Sequence, residues 1–546
     1  MNQKNIFLIT ALFLFLTSFS QKNKIYDIVI YGANSAGIMA AVEASASGKS
    51  VIVINPGGYI GGLTTGGLGW TDIGNKMVIG GLSREFYQKI KNYYEHDENW
   101  KWEEKANYTA KEQSQQSNIG KDAMWTFEPS AATAVFDNYI KEYKIKIVNE
   151  RLKLRNGVIK RKGIINALKM ESGKKYRGKI YIDATYEGDL MAGAGVSYTF
   201  GREAASQYGE DLNGVQTARG IYHQFPDGID PYIQQGNKAS GLLPQVNPFV
   251  AAEKSSDKMI QAYCFRMCVT DVPENRITIK KPDRYNELEY ELLFRYIDMI
   301  GAQKATDMFT LSKMPNRKTD SNNKGPFSLD YIGKNYNYPE GTYKQREQII
   351  KEHKDYQLGL LWTLQHHARI PQSVRDYYSK WGLPRDEYIS YNNFTPQLYI
   401  REARRMVSDY VMTQNHCMQK GVSAEQSIGM GAYTMDSHHV QRYVNSDGHV
   451  KNEGDVQVGG FRPYPIDYRS IIPKENECEN LLVPVCLSAS HMAYGSIRME
   501  PVFMILGQSA AAAAVIAVDN NSTVQNVDYK KLQKVLLKRK MVLEYK

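Results

Sequence analysis

The chain of 546 residues is too long for one simple hydrophobic core, so two or three packed regions are expected. Its formal net charge is +10, but the basic residues are spread along the chain, which argues against a nucleic-acid-binding stripe, and no nucleic-acid partner is expected. Five cysteines are too few for a disulfide scaffold, and Cys264 and Cys268 have no second pair at metal-ligand spacing, so no metal site is predicted.

The first twenty residues have the features of a cleaved secretory signal. Lys4 gives a small positive region, residues 6–19 are apolar but short for a bilayer span, and small residues flank Phe19 at a cleavage site. The sequence therefore predicts export to the periplasm or beyond, with a retained membrane anchor as the alternative. No segment beyond residue 25 is judged long and apolar enough to cross a membrane, so no stable membrane insertion is expected.

Residues 25–55 predict a strand, a glycine turn, a helix and a second strand. This βαβ opening places a dinucleotide pyrophosphate at a helix N-terminus. The match departs from the usual fingerprint at Asn34, where the middle glycine is expected, and at Asn55, where a ribose-binding carboxylate is expected. An ordinary βαβ unit is the alternative. The predicted binding residues of this segment are Gly32, Asn34, Ser35, Ala36, Gly37, Asn55 and Pro56.

A second glycine-rich loop follows the second strand closely. Such a run lets the backbone approach a flat ligand, which strengthens the prediction of a nucleotide site. The predicted binding residues of this loop are Gly61, Gly62, Leu63, Thr64, Gly66, Gly67 and Leu68.

The middle of the chain divides into a regular and an irregular part. Residues 179–185 predict a buried strand that ends in a small-residue turn at Asp183, Ala184 and Thr185. Residues 196–395 are dense in Gly, Pro, Asn and Tyr, with few long periodic segments, and are interpreted as an inserted mixed α+β substrate region. Within it, residues 313–343 are either a flexible loop or the lining of a polar pocket.

Regular structure is expected to return in residues 396–520. Residues 396–417 predict a helix whose arginines either clamp a carboxylate or form a salt-bridged face. A late buried strand and a helix rich in small residues, 501–518, follow. Strands at both ends of the chain predict a discontinuous Rossmann-like domain of the α/β class, formed by residues 25–195 and 396–520. Residues 521–546 predict a surface helix.

Six ordered motifs carry a resemblance to a known family. The chain resembles the secreted FAD-dependent oxidoreductases of the glutathione-reductase superfamily, in the fumarate-reductase-like branch whose members are often labelled xanthan-lyase-like. The motifs are YGANSAG, GGLTTGGLGWTDIGNKMVIGGLSREFY, IDATYEGDLMAGAGVSYTFGRE, LYIREARRMVSDYVMTQ, GMGAYTMDSHHVQR and LLVPVCLSASHMAYGSIRMEPVFMILGQSAAAAA.

The resemblance implies FAD as cofactor and gives each motif a place around it. The first glycine turn would hold the pyrophosphate, residues 61–68 would pass along the flavin, and residues 183–185 would pack near the nucleotide. Residues 488–499, with Ser496 and Met499, would lie beside the isoalloxazine. The helix from Pro501 would direct its positive N-terminus towards the flavin.

Four residues are predicted to be catalytic. A flavin enzyme needs a base, an orienting group and a dry pocket. His491 is the first candidate base, and Arg498 is the first candidate for binding a substrate oxygen or the flavin's own carbonyl. Asp436, His438 and His439 form a second polar cluster, in which one of the histidines would share acid–base work. A purely structural role is the alternative for each histidine.

The leading functional prediction is oxidation of a sugar or oligosaccharide alcohol by hydride transfer to FAD. It is based on export, on 38 tyrosines and on the association of the resembled family with polysaccharide use. Reduced flavin would pass electrons to oxygen, a quinone or a small carrier protein. The alternatives are a polysaccharide lyase without redox change and a carbohydrate-binding relative that has lost its flavin.

Overall fold

A computed structural model describes residues 24–108 and 122–546, so the predicted signal peptide lies outside the described residues. Strands are numbered in chain order: β1 Ile25–Tyr31, β2 Val51–Asn55, β3 Ile147–Asn149, β4 Val158–Arg161, β5 Ile164–Lys169, β6 Lys175–Asp183, β7 Tyr198–Thr199, β8 Val246–Asn247, β9 Met267–Thr270, β10 Arg276–Ile277, β11 Phe309–Met314, β12 Lys318–Asn323, β13 Leu383–Pro384, β14 Arg405–Met406, β15 Ser427–Gly431, β16 Met435–Ser437, β17 Gln441–Val444, β18 Val450–Glu453, β19 Val456–Val458, β20 Tyr464–Asp467 and β21 Leu481–Leu482.

The α-helices are numbered in the same way. They are α1 Ser35–Ala46, α2 Gly62–Thr65, α3 Gly81–Tyr93, α4 Pro129–Glu142, α5 Asp189–Gly193, α6 Ala205–Tyr208, α7 Glu291–Ile300, α8 Ala302–Ala305, α9 Tyr343–His366, α10 Gln372–Tyr378, α11 Gln414–Met418, α12 His491–Ile497, α13 Glu500–Asn520 and α14 Tyr529–Lys538.

A parallel sheet with strand order β3-β2-β1-β6-β21 organises both ends of the chain. The register places Ile28 of β1 opposite Val51 on one side and Ile180 on the other, and β21 pairs with the end of β6. Residues 28–31 of β1 are fully buried, as expected for a strand covered on both faces. The hairpin β4–β5 adds antiparallel strands beside the start of β6. The predicted fold class, a discontinuous Rossmann-like domain with an inserted region, is confirmed.

The long helix α13 packs closely against α1 because small residues line its surface. A Cβ on Gly507 would lie 2.2 Å from the carbonyl oxygen of Ala36. By length and composition α13 is apolar enough to cross a membrane, so the prediction that no later segment meets this test is wrong. Of its most apolar window, 89% is buried inside the protein, and its apolar surface is therefore used in packing.

The inserted region contains a long helix that the sequence did not predict. Helix α9 begins at a capping box formed by Thr342 and Gln345 and runs for 24 residues. Its buried face includes Arg346, His353 and Gln357, so the sequence lacks a plain apolar periodicity there. The segment 313–343 includes strand β12 and not only a loop.

The helix predicted over residues 396–417 is wrong. This segment is mostly extended, with β14 paired to β7 and only the short helix α11 at its end. The arginines are buried in ion pairs: Arg401 lies 2.9 Å from Asp330, and Arg405 pairs with Glu203. An irregular backbone allows each buried arginine on this short segment to reach a different carboxylate. The structure therefore agrees with the salt-bridge alternative.

Near its C-terminus the chain forms the expected helix, α14, which is shorter than the predicted segment 521–546. After it the backbone returns to the domain, where the carbonyl of Lys540 accepts a hydrogen bond from Gly81 N at 3.0 Å. All five cysteines are buried free thiols, so Cys478 and Cys486 form no bridge. The exact boundaries of the predicted regions stay predictions.

Candidate active site

The turn between β1 and α1 requires glycine at both of its ends. Gly32 has φ +110°, a backbone conformation that L side chains rarely adopt. A Cβ on Gly37 would lie 2.0 Å from the carbonyl oxygen of Gly32, so the helix can begin this close to the strand only without a side chain there. The predicted strand–turn–helix is therefore confirmed as a local structure.

Asn34, which stands where the middle glycine is expected, caps helix α1. Its Oδ1 accepts a hydrogen bond from Gly37 N at 3.0 Å, and its Nδ2 donates to the carbonyl of Ala184. Asparagine is among the favoured N-cap residues. The N–H groups of Ser35 and Ala36 precede the first intrahelical hydrogen bond and mark the positive end of the helix, where an anion is favoured. This departure from the fingerprint thus preserves the anion site.

Asn55 ends β2 beside the same turn. Its side chain is buried, and its Nδ2 donates to the carbonyl of Tyr59 at 3.1 Å. Asn55 therefore fixes the turn that begins at Pro56. Its predicted contact with a ribose hydroxyl stays a prediction, and an amide would make that contact more weakly than a carboxylate.

These segments line a cleft, which we call the dinucleotide cleft, with an empty volume of about 990 Å³ including its open mouth. Seven predicted cofactor-binding residues line it: Gly32, Asn34, Asn55, Pro56, Gly62, Ala184 and Thr185. The others are buried and do not line it: Ser35, Ala36, Gly37, Gly61, Leu63, Thr64, Gly66, Gly67, Leu68, Asp183, Ser496 and Met499. The opposite wall comes from the inserted region, chiefly from α9 through Tyr343, Arg346, Glu347 and Ile350.

A buried carboxylate, Glu500, connects the three segments that meet at the cleft. Its Oε2 accepts hydrogen bonds from Ser35 Oγ at 2.5 Å and Thr64 Oγ1 at 2.7 Å, and its Oε1 accepts from Tyr186 Oη at 2.6 Å. Tyr186 Oη in turn accepts from Leu63 N at 3.0 Å. Burial raises the pKa of Glu500, and its hydroxyl donors oppose this. The sequence analysis missed this residue.

The second glycine loop packs directly against the inserted region. A Cβ on Gly67 would lie 1.8 Å from the carbonyl oxygen of Arg266, and one on Gly66 would lie 2.5 Å from the Cβ of Gln397. The loop therefore needs its glycines for this contact as well as for any approach to a ligand.

At the end of β6, the Asp183 side chain holds the turn at residues 184–185, which lines the dinucleotide cleft. Its Oδ1 accepts from Thr185 N at 3.0 Å, and its Oδ2 accepts from Met191 N at 2.8 Å. Burial raises the pKa of Asp183 to about 6. These contacts show how the side chain shapes the turn at Ala184.

Ser496 and Met499 are positioned by the later part of the chain, away from the dinucleotide cleft. Ser496 Oγ donates to the carbonyl of Tyr433 at 2.5 Å and accepts from Tyr464 Oη at 2.7 Å. Met499 is 2% exposed and precedes α13 as its N-cap residue. Ser496 therefore joins the end of α12 to the segment that leads into β16.

Three of the four predicted catalytic residues form one buried cluster with two residues that were not predicted as catalytic. Arg498 Nη2 lies 3.2 Å from Asp436 Oδ2, and His438 Nε2 lies 3.6 Å from the same oxygen. On its other side, His438 Nδ1 lies 2.7 Å from Asp330, which also pairs with Arg401. Asp330 belongs to the segment 313–343, and its carboxylate is engaged in these ion pairs.

The two carboxylates control the proton on His438. Burial and the charge of Arg401 would lower the pKa of His438, but Asp330 and Asp436 outweigh them and the pKa is raised above 6.5. Burial would raise the pKa of Asp436, but His438 and Arg498 hold it below its ordinary value. The two carboxylates therefore make His438 a stronger base than an isolated imidazole.

His491 has a different environment at the start of α12. Its Nδ1 lies 2.7 Å from Glu402 Oε2, so the ring donates to this carboxylate and leaves Nε2 unprotonated. Burial, followed by the charge of Arg405, lowers the pKa of His491 to about 3. The predicted first candidate base is thus a weak base at neutral pH, and the geometry favours His438 for this role.

One glutamine connects the two histidines. Gln261 Oε1 accepts from His438 N at 3.1 Å, and its Nε2 donates to Glu402 Oε2 at 2.8 Å. Since Glu402 also binds His491, the four predicted catalytic residues belong to one hydrogen-bonded core. In the described residues, no group of three or more His, Cys, Asp or Glu side chains is placed to hold a metal ion.

A family model described as FAD dependent oxidoreductase matches residues 27–536 and so includes both glycine loops and the catalytic cluster. The chain belongs to this family. FAD is therefore its cofactor, and the protein is an FAD-dependent oxidoreductase. No curated protein sequence matches the chain.

Solved structures resemble parts of this oxidoreductase. The L-amino acid deaminase from Proteus vulgaris is 17% identical over 33% of this chain and 52% of its own, with a TM-score of 0.23. The L-proline dehydrogenase from P. horikoshii is 19% identical over 33% of this chain and 59% of its own, also with a TM-score of 0.23. The matched part thus spans little more than half of each of these structures.

The dinucleotide cleft of the oxidoreductase fits FAD. The N-terminus of α1, which reaches the cleft at Asn34, suits a pyrophosphate. Gly32 and Gly62 allow the lining segments to pack closely, since a Cβ there would lie 2.8 Å from the backbone of Ala184 or 2.4 Å from Tyr186 Oη.

Two contributions could not be found from local sequence patterns. No local pattern marks Glu500, which stands between Met499 and Pro501. The wall formed by α9 depends on the tertiary packing of the inserted region against the sheet domain.

Proposed function

We propose that this oxidoreductase is exported and oxidises an alcohol group of a sugar or oligosaccharide. The observation that carries the chemistry is the buried cluster of Arg498, Asp436, His438 and Asp330. It combines a cation that can bind an oxygen with an imidazole poised between two carboxylates. The sugar and export parts are supported by the N-terminal sequence, the tyrosine content and the resemblance to the secreted, fumarate-reductase-like branch.

In this proposal the residues of the cluster have distinct roles. Arg498 binds and orients the substrate hydroxyl, and His438 takes the hydroxyl proton at Nε2. Asp330 orients the imidazole through Nδ1, and Asp436 stabilises the imidazolium that forms. When bound, FAD supplies the two-electron acceptor for the hydride of the adjacent C–H bond. The alcohol thereby becomes a carbonyl, with its hydroxyl proton transferred to His438 and the hydride from its carbon transferred to FAD.

Low solvent access supports this assignment. The side chain of Arg498 is 2% exposed and that of His438 is 11% exposed, so their charges act in a medium where electrostatic interactions are strong. Asp436 has a more exposed side chain, at 20%, and marks the side from which a substrate would approach. Oxygen, a quinone or a small carrier protein would then reoxidise the cofactor.

The first experiment is the visible spectrum of the purified mature chain, beginning at Gln21, before and after denaturation. We expect flavin bands that are released into solution, and then bleaching of those bands by at least one neutral mono- or disaccharide under anaerobic conditions. L-Amino acids and polyols form the comparison set.

Two results would contradict the proposal in different ways. Bleaching by an amino acid but by no saccharide would reject the sugar substrate and leave the oxidoreductase. A colourless protein that takes up no added FAD, and that releases products with unsaturated-uronate absorbance from a polysaccharide, would support the lyase alternative.

A further inference from the structure

A second cleft, separate from the dinucleotide cleft, lies beside the catalytic cluster. Its empty volume, including its open mouth, is about 880 Å³. We call it the aromatic cleft and define it by Trp70, Asp72, Trp125, Asn322, Ala432 and Tyr433. We propose that the aromatic cleft binds a neutral saccharide and presents it to the Arg498–Asp436–His438 cluster. This inference rests on the proposed function.

The position of the aromatic cleft supports this role. One wall, from Trp70 onwards, directly continues the second glycine loop, and the opposite wall leads into β16, which carries Asp436. The two walls touch at one end, where a Cβ on Gly74 would lie 2.0 Å from the carbonyl oxygen of Ala432. The inserted region contributes Asn322, so all three parts of the chain meet there.

Tyr433 joins the aromatic cleft to the catalytic cluster. Its hydroxyl donates to Asp72 at 3.3 Å, and its carbonyl accepts from Ser496, two residues before Arg498. Asp72 in turn lies 3.7 Å from the guanidinium of Arg266. A ligand against Tyr433 would therefore contact a residue whose backbone is fixed by Ser496 of helix α12, close to Arg498.

The side chains of the aromatic cleft match the two kinds of surface that a sugar ring presents. Trp70 and Tyr433 offer ring systems for the apolar C–H face, and Tyr and Trp also provide a hydrogen-bonding edge. Trp125, which is 2% exposed and stacked on Tyr87, forms the floor of the cleft. Asn322, Asp72 and three threonines offer donors and acceptors for hydroxyl groups.

The charges of the aromatic cleft argue for a neutral ligand. Asp72 is balanced by Arg266, which also makes two hydrogen bonds to Asp320 at 2.7 and 2.6 Å. The cleft's own cation, Lys76, lies over the ring of Trp125, 5.8 Å from its centroid, and offsets the charge of Asp72 in the lining. A uronate or a phosphate would approach the carboxylate of Asp72 and find no excess of positive charge there. A neutral hexose unit meets no such repulsion.

The test uses the flavin-loaded enzyme and three neutral disaccharides, maltose, cellobiose and lactose, with glucuronate as the charged comparison. The variant Ala432→Trp fills the aromatic cleft, and Ala251→Trp, at an exposed position outside it, is the matched control. Binding is measured by quenching of tryptophan fluorescence, and turnover by flavin bleaching. Flavin content and reduction by dithionite show whether each variant is folded and loaded.

We expect at least one disaccharide to bind and to be oxidised, and Ala432→Trp to weaken both by tenfold or more while Ala251→Trp changes neither. If a disaccharide is oxidised equally well by Ala432→Trp, the aromatic cleft is not its site, but the proposed function stands. If a disaccharide binds, Ala432→Trp abolishes this binding and none of the disaccharides is oxidised, the aromatic cleft is confirmed as a saccharide site but the proposed function fails. Tighter binding of glucuronate than of every disaccharide would overturn the neutral ligand.

Discussion

At the residue scale, the two candidate histidines differ because of the charges around them. His438 lies between two carboxylates that raise its pKa, whereas burial and the charge of Arg405 lower the pKa of His491 to about 3. The sequence places both histidines among small or polar residues and does not distinguish them. The distinction depends on Asp330, which lies more than a hundred positions earlier in the chain.

The first prediction concerns the substitution Asp436→Asn. Oxidation needs unprotonated His438, so kcat/KM for an oxidised saccharide should rise with pH through the raised pKa of His438. Removing one neighbouring negative charge should move this rise to lower pH by about one unit. The measurement is the pH profile of kcat/KM from pH 5 to pH 9. The variant Glu425→Gln, whose side chain is 80% exposed, is the control, and an unchanged position of the rise in Asp436→Asn would argue against His438 as the base.

At the element scale, the strand–turn–helix was predictable because its requirements are local. Gly32 and Gly37 are needed where a strand and a helix nearly touch, and the apolar runs on either side set the element types. Two other elements were not predictable in this way. The segment 396–417 contains arginines at helical spacing, yet buried carboxylates from distant segments determine its backbone, and α9 buries polar side chains that hide its periodicity.

The second prediction compares Gly37→Ala with Gly57→Ala. A Cβ on Gly37 would meet Gly32 O at 2.0 Å and force helix α1 away from β1. Gly57 lines the cleft, where a Cβ would meet no protein atom within 4 Å, so Gly57→Ala shows the effect of a methyl group that leaves the turn intact. Gly37→Ala should weaken FAD binding by tenfold or more relative to Gly57→Ala, about 1.4 kcal/mol or above. Titration of the apo-proteins with FAD, followed by flavin fluorescence, measures this. Equal affinities for the two variants would show that the turn does not position the cofactor.

At the scale of the whole molecule, a buried charge cluster joins the sheet domain to the inserted region. Lys318 Nζ lies 2.8 Å from Glu128, at the start of α4, and 2.8 Å from Glu387. Ser130 Oγ donates to Glu387 at 2.8 Å as well. The discontinuous layout was predictable from strands at both chain ends. This junction was not, because its members are far apart in sequence.

The third prediction concerns the pH dependence of stability. Burial raises the pKa of Glu387 to about 7, with Lys318 opposing and Glu128 adding to the rise. A raised carboxyl pKa stabilises the fold below the unfolded value of 4.5, and this contribution is lost as the pH rises to 7. The loss is about 3.5 kcal/mol at most, at about 1.4 kcal/mol per pKa unit.

Urea unfolding at pH 5 and pH 7.5 tests this prediction. Glu387→Gln should reduce the difference in free energy of unfolding between the two pH values, and Glu425→Gln, whose side chain is 80% exposed, should leave the difference as it is. The same difference in wild type and Glu387→Gln would exclude this junction as the source.

The pairing of β21 with β6 affects how the protein folds. Strand β6 pairs with β1 and, at its start, with β5, but β21, the partner of its end at Tyr181 and Ile182, comes near the end of the chain. Until β21 is in place, this end of β6 is an open, apolar strand edge, which is a template for pairing with other chains. Helix α13, which covers α1, lies later still in the chain. The risk of misassembly is therefore greatest before the C-terminal part of the chain has folded, and cofactor uptake follows that step.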